Sequence, residues 1–421
     1  MILLIGGFIT RALGFIIRIY YTRVIGEVGI NLLSIVMPTY SMLMTLATFM
    51  LPLTISKLVA EQKKRSISIM QNAGFVIFFI NLVVIFFMIL SSDYIASTLL
   101  NEPNCKYILI AMSLTLPFIS LSSIIKGYFL GKQRTMPYMI SNVLEQLLRL
   151  IVILFMLPIL IKFSPLHAVV GLMLLTIISE SFSVFIFMFF LPKNVIIKKE
   201  DLKYDKGIYS DILDLSIPSV SGRIVGNIGY FLEPVILTNF LIFSGYTSTY
   251  VITEYAAFNA YAIPILTMPA FFIQALSQTL IPEISKYNGI NNKIMIKKRI
   301  YQVLSITFIL GCLFSIFILI FNEKILLILY NTSKGSNYIK CLAPVFSIFY
   351  LEGIFYAIFQ AIDKAKLAFK ISLKGVIMKI VILSFLSLIK IGMYSLVIAQ
   401  IINILYIITI CFVTLKKESV I

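Results

Sequence analysis

Six basic residues lie inside long apolar stretches of this 421-residue chain: Arg11, Arg18, Arg149, Arg223, Lys374 and Lys379. An ionisable group at membrane depth costs at least about 2.5–3.5 kcal/mol, so it faces a wet cavity or a partner and marks a functional position. Cations of this kind recognise anions, and a guanidinium grips a phosphate with two parallel hydrogen bonds. In the first stretch Gly7, Arg11, Gly14 and Arg18 follow i, i+4, i+7, i+11, which places two glycines and two arginines on one helical stripe. Arg11 sits too deep to reach an interface easily, whereas Arg18 reads equally well as snorkelling to the outer surface.

The seventh stretch repeats the ladder with Gly222, Gly226, Gly229 and Glu233, beside Arg223 and Asn227, and Pro218 near its start should loosen the helix. Gly7, Gly14, Pro218, Gly222 and Gly226 are therefore candidates for helix flexibility, although close helix packing explains the glycines alone more simply. The fifth stretch carries Asn142, Glu145 and Arg149 on one face. Glu145 and Arg149 stand at i, i+4, so an intrahelical ion pair weighs equally with an Arg149 that lines a cavity and is held there by Glu145. The candidate set for binding in a central cavity is Arg11, Arg18, Asn142, Glu145, Arg149, Arg223 and Lys379. Glu180, Glu233 and Glu352 are lone acids in apolar surroundings and are candidates for ion coupling, with H+ or Na+ as the cation.

The elements that must position these groups follow from composition. The chain is 60% hydrophobic and only 13% charged, with a mean hydropathy of +1.01. A spanning helix needs about 20 apolar residues, which leaves room for roughly a dozen. Twelve stretches can be traced, among them 31–56, 138–161 and 254–283, the last expected to kink at Pro264 and Pro269. The expected fold is an all-α polytopic membrane protein: 1–191 as an N-terminal six-helix lobe, 192–210 as a cytoplasmic linker and 211–421 as a second six-helix lobe. Ile55, Ser56 and Lys57 recur as Ile284, Ser285 and Lys286, while Phe129 and Arg149 fall on Phe359 and Lys379 at an offset of 230. Six spans per half make this a parallel, pseudo-symmetric repeat with a site expected between the lobes.

The net charge of +17 invites a nucleic-acid reading in a soluble chain, but here the bases alternate across the membrane. With the N-terminus inside, 22 Lys and Arg fall in cytoplasmic segments, Lys126, Lys132 and Arg134 among them, against 7 in outer segments. Lys and Arg collect on the cytoplasmic side, so both termini are placed there, in a bacterial cytoplasmic membrane. The start runs straight into an apolar helix, and no cleavable signal peptide is read. Cys105, Cys312, Cys341 and Cys411 have no metal or redox spacing, and the lone His167 lies at a loop edge. With no phosphate-binding Gly-Lys loop, no metal cluster and no Ser/His/Asp set, the expectation is a non-enzyme without a cofactor, powered by a coupling cation or the membrane potential.

The opening "GGFITRALGFIIRIYYTRVIGEVGINLLSIVMPTYSMLMTLATFMLPLTISKLVAE" resembles the stage V sporulation protein B and polysaccharide biosynthesis family of lipid-linked saccharide flippases, within the multidrug/oligosaccharidyl-lipid/polysaccharide (MATE-like) exporter superfamily. "IKGYFLGKQRTMPYMISNVLEQLLRLIVI" is similar to the family's fourth-to-fifth-helix signature, and "AIFQAIDKAKLAFKISLKGVIMKIVI" to its second-lobe counterpart. The resemblance implies a V-shaped, two-lobed, alternating-access transporter. Its substrate would be an undecaprenyl-pyrophosphate-linked peptidoglycan or polysaccharide precursor, bound by Arg11, Arg18 and Arg149. Spore-cortex and cell-wall synthesis, with wall-synthesis enzymes as partners, come with the same resemblance. Members commonly have fourteen helices, two more than are traced here. Two other readings stand beside it: a cation-coupled multidrug exporter of the same fold, and a non-transporting scaffold of a wall-synthesis complex.

The charge asymmetry yields a direct test of orientation. A C-terminal fluorescent-protein fusion should fluoresce and a C-terminal alkaline phosphatase fusion should be inactive; the opposite pair of results would reverse the topology.

Overall fold

A computed structural model describes residues 2–62, 64–191, 205–290 and 292–417. In a bilayer core without water each backbone N–H and C=O must pair inside its own segment, and helices satisfy that demand. Every regular element among the described residues is helical. Nine helices there are long and apolar enough to cross a membrane. All twelve expected stretches are nonetheless helical. The run Gly6–Glu61 carries two of them, the eighth is broken into short pieces, and the eleventh is diluted by Lys366, Lys370, Lys374 and Lys379. The protein is a multi-pass membrane protein.

The first compact unit, Met1–Phe231, holds six helices and the first part of a seventh. They are α1 (Ile2–Thr48), α2 (Leu51–Glu61), α3 (Ser66–Tyr94), α4 (Cys105–Gly131), α5 (Thr135–Leu160), α6 (Pro165–Phe190) and α7 (Lys206–Phe243). Gly26, at φ 73, splits α1 into two spans, a conformation that glycine adopts without a Cβ penalty. The second span breaks again at Phe49 and Met50, both at positive φ, before α2 resumes with Pro52 in its first turn. That break leaves the Ala47 carbonyl without a helical donor. Ser120 Oγ donates to it at 3.0 Å and Asn81 Nδ2 at 3.4 Å, and Asn81 also donates to Ser120 at 3.1 Å. The core beneath is apolar, with Phe129 and Phe187 stacked at 5.1 Å.

The second unit, Leu232–Ile421, contains the rest of α7 and eight helices. These are α8 (Ser248–Ala256), α9 (Ile263–Thr267), α10 (Ala270–Gly289), α11 (Lys293–Tyr330), α12 (Ser336–Phe349), α13 (Leu351–Ala361), α14 (Ala365–Ser387) and α15 (Tyr394–Lys417). The expected kink in the eighth stretch is present as a π-helical turn over Ala257–Ala262 ahead of Pro264, with a second interruption at Met268 and Pro269. Pro264 has no N–H to give the Ala260 carbonyl, so the helix cannot continue regularly. Gly335, at φ 90, caps α12 so close to the π turn that a Cβ there would stand 2.5 Å from the Ala257 oxygen.

The internal repeat is written in the backbone. At an offset of 230, Gln133 and Asp363 both take left-handed φ values, 57° and 61°. The next N–H closes the same turn in each: Arg134 to the Phe129 carbonyl at 3.0 Å, and Lys364 to that of Phe359 at 2.8 Å. Asn101 and Asn331 are likewise left-handed at φ 52 and 55. Ahead of each stands an acid that ties down the following helix, Asp93 to Lys106 at 2.9 Å and Glu323 to Lys340 at 2.7 Å.

Packing divides the chain inside α7, whereas hydropathy and charge point to a boundary in 192–210, of which 192–204 lie outside the described residues. The reason is that Ile208 and Ile212 of α7 join the apolar core of the first unit. Asp205 anchors that start. Its Oδ1 accepts from the N–H groups of Gly207 and Ile208 at 2.8 and 3.2 Å, its N–H reaches Asn72, and Lys64 bridges to it at 3.1 Å. The Lys64 ammonium, then the helix amides, hold the Asp205 carboxyl below its usual range.

Asp205→Ala should lower stability by about 1 kcal/mol, the usual cost of an N-cap replaced by alanine, since the exposed Lys64 pair adds little. Because its folded pKa is depressed, this stabilisation is complete above the ordinary aspartate pKa of about 3.9 and fades as pH falls through the folded value. Thermal unfolding in detergent should therefore separate variant from wild type at pH 7 and show them converging in acid.

Candidate functional site

The break in the second span opens a cavity of ≈ 440 Å³ in the first unit, lined by Thr48, Met50, Pro52, Ser56, Ser123 and Arg223. Two hydrogen bonds across α7 bracket Arg223. Thr54 Oγ1 and Ser216 Oγ meet at 2.8 Å, and Asn227 Nδ2 donates to Thr45 Oγ1 at 2.6 Å. The first turn of α2 has no side-chain cap, Pro52 has no N–H, and the Leu53 N–H is already given to the Met50 carbonyl at 3.1 Å. The donors available to an anion here therefore belong mostly to the Arg223 guanidinium, with the positive end of α2 adding its field. Among the described residues Arg223 makes no ion pair, and its side chain is exposed. Gly226, one turn beyond, meets nothing within 4 Å of an added Cβ.

Arg149 is placed very differently. Its Nη2 donates to Glu145 Oε1 at 3.1 Å and to Glu180 Oε1 at 3.2 Å, and its Nε donates to Ser179 Oγ at 3.0 Å. Lys126 completes the group, 3.0 Å from Glu145 Oε2 and 3.8 Å from Glu180 Oε2. Two cations and two carboxylates from α4, α5 and α6 thus neutralise one another in a largely buried cluster. The intrahelical pair is present, and Glu180, expected as a lone acid, is its second partner. Lys126, counted above with the cytoplasmic loops, lies inside α4 and turns into the protein. Hydropathy could not show this, because Lys126 falls one residue past an apolar stretch and reads as loop. Asn142 is half-buried outside the cluster.

Arg11 is exposed on α1 and Arg18 is half-buried. Gly7 and Gly14 have open space where a Cβ would stand, so helix packing does not account for them. The neighbouring Gly6 takes that role instead, lying directly against Met139 of α5. In the second unit Lys379 Nζ donates to Glu233 Oε1 at 2.5 Å, so two more candidates are paired with each other. Glu352 is half-buried in the first turn of α13, and Lys374 is exposed on α14. Pro218 and Gly222 lie outside the residues whose side chains are described.

The family of polysaccharide biosynthesis proteins matches residues 1–288. The chain belongs to the polysaccharide biosynthesis protein family. Residues 235–421 also match the lipid II flippase MurJ family. Among relatives of the family, stage V sporulation protein B of Bacillus subtilis (strain 168) is 30% identical over 393 residues, covering 90% of this chain and 75% of that protein. Lipid II flippase MurJ of the same organism is 22% identical over 420 residues, again covering 90% and 75%. A multidrug-resistance MATE transporter of the MOP superfamily, solved in an inward-facing conformation, superposes with a TM-score of 0.80 at 15% identity, covering 97% of this chain and 94% of that one. A MOP-superfamily transporter from Pyrococcus furiosus gives 0.68 at 14% identity over 99% and 94%. This member of the family therefore has the MATE fold and is a membrane transporter.

The four-membered cluster has a measurable signature. Removing one partner of a buried ion pair costs about 3–5 kcal/mol, whereas removing both costs little. Glu180→Gln or Lys126→Met alone should sharply lower the unfolding temperature, and the double variant should recover most of the loss. Simple additivity in this cycle would show the cluster to be uncoupled.

Proposed function

We propose that the protein moves a lipid-linked saccharide, an undecaprenyl-pyrophosphate-linked peptidoglycan or polysaccharide precursor, across the bacterial cytoplasmic membrane by alternating access, with both termini in the cytoplasm. The observation that carries this reading is Arg223 in the cavity at the α1–α2 break, without a carboxylate partner among the described residues. A diphosphate needs an uncompensated cation, and the fork of a guanidinium matches its oxygens. Arg11, exposed on α1 beside the open stripe of Gly7 and Gly14, supplies a second guanidinium. Arg149 and Lys379, already held by Glu145, Glu180 and Glu233, act as framework. Glu180 and Glu233 each have a cation within ion-pair distance, and we assign ion coupling, to H+ or Na+, to Glu352 in the first turn of α13.

The names of two Bacillus subtilis relatives, stage V sporulation protein B and sporulation protein YkvU, support a role in sporulation, which our reading extends to spore-cortex or cell-wall synthesis alongside wall-synthesis enzymes. The MATE fold keeps a cation-coupled multidrug exporter as the second reading.

Transbilayer movement of a labelled undecaprenyl-pyrophosphate saccharide in proteoliposomes tests the proposal. A charge-assisted hydrogen bond contributes about 1.5–3 kcal/mol, so Arg223→Ala should slow movement by at least roughly tenfold, with Arg11→Ala also impaired. Movement at the wild-type rate in both variants would sink the assignment. Transport of cationic drugs instead, lost in Glu352→Gln and kept in Arg223→Ala, would establish the exporter.

A further inference from the structure

On the first unit a groove of ≈ 1330 Å³ opens between α3 and α4. Pockets for small molecules run to roughly 300–1,000 Å³, so this one has room for a larger, chain-like occupant. Its two ends differ in chemistry. At one end stand Lys64, Arg65 and Lys132; further in, the walls are Phe75, Phe78 and Leu121. No acidic residue lines it among the described residues. Lys64 is shared with Asp205 at 3.1 Å, while Lys132 is exposed. Gly74 lies in the first third of α3, and an added Cβ there would meet nothing within 4 Å. The apolar wall runs on without interruption into the outward face of α3, where Phe79, Leu82, Phe86 and Phe87 are all more than half exposed. That face belongs against acyl chains, so the groove is open to the bilayer along its apolar length and basic where α3 begins.

We propose that this groove is a binding site for an anionic phospholipid of the bilayer, its phosphate held by Arg65 and Lys132 and its acyl chains laid along Phe75, Phe78 and Leu121. The charge pattern selects an anionic headgroup over a zwitterionic one, and the continuity with α3's lipid-facing surface selects a membrane lipid over a soluble anion. Such a lipid would brace α3 against α4 at the basic end of the unit, separate from the cavity that contains Arg223. The inference does not depend on what the protein transports.

The chain contains no tryptophan, so a single Phe78→Trp substitution reports on the groove alone. The full-length protein would be reconstituted in phosphatidylcholine vesicles containing either brominated phosphatidylglycerol or brominated phosphatidylcholine. Each basic residue near the headgroups is worth roughly fivefold in affinity for anionic lipid. Quenching of Phe78→Trp should therefore require at least about fivefold less of the anionic lipid, whereas Phe87→Trp, on the open face of α3, should show no preference. Adding Arg65→Gln and Lys132→Gln should abolish the preference at Phe78→Trp. Gly74→Leu fills the groove with a better helix former and should do the same without loss of folding. Equal quenching by the two lipids, or a preference that survives both sets of changes, would overturn the proposal. Displacement of the phosphatidylglycerol by undecaprenyl phosphate at equal mole fraction would overturn it in favour of a carrier-lipid site.

Discussion

The bilayer core contains no water to accept what a folded chain leaves unpaired, and the arrangement of this protein follows from that. A continuous helix meets the demand by itself; a broken one does not. Where the second span breaks at Phe49 and Met50, the Ala47 carbonyl is released at membrane depth, and Ser120 and Asn81 are recruited from two neighbouring helices to bond it. The pair is buried and hydrogen-bonded to itself, so the break is held in place rather than left to fluctuate. The cavity at Arg223 exists because of this interruption.

The same constraint sorts the intramembrane charges into two kinds. Lys126, Arg149 and Lys379 are matched by Glu145, Glu180 and Glu233 within hydrogen-bonding or ion-pair distance. Such groups orient helices and do little net binding of a ligand, because a phosphate would have to displace a carboxylate that is already well placed. Arg223 belongs to the second kind: its charge is presented to open space beside a helix start. In the function proposed above, the anion-binding role accordingly falls to Arg223 on the seventh helix and not to Arg149 on the fifth.

Repetition and divergence can be read together. At an offset of 230 the left-handed turn residues, the acids Asp93 and Glu323 that pair with a lysine of the next helix, and the buried Phe129 and Phe359 recur, so the two units share one backbone plan. The side chains at the charged positions have separated. Arg149 corresponds to Lys379, but Glu145 corresponds to Gly375 and Lys126 to Tyr356, so the second unit draws its compensating acid, Glu233, from α7 instead.

Composition and hydropathy determined the helical class, the twelve stretches, the repeat and the kink near Pro264, because each depends on local free energies: transfer of apolar segments into lipid, and a proline that lacks an N–H. The i, i+4 spacing likewise exposed Glu145 and Arg149 as neighbours. Tertiary structure alone decided the rest. Glu180 meets Arg149 across 31 positions of sequence and Glu233 meets Lys379 across 146. Lys126 turned inward where hydropathy read a loop, and the unit boundary moved into α7 because Ile208 and Ile212 pack into the first core. Pairing energy between charges depends on distance in space, and a one-dimensional pattern holds that distance only within a single helix turn.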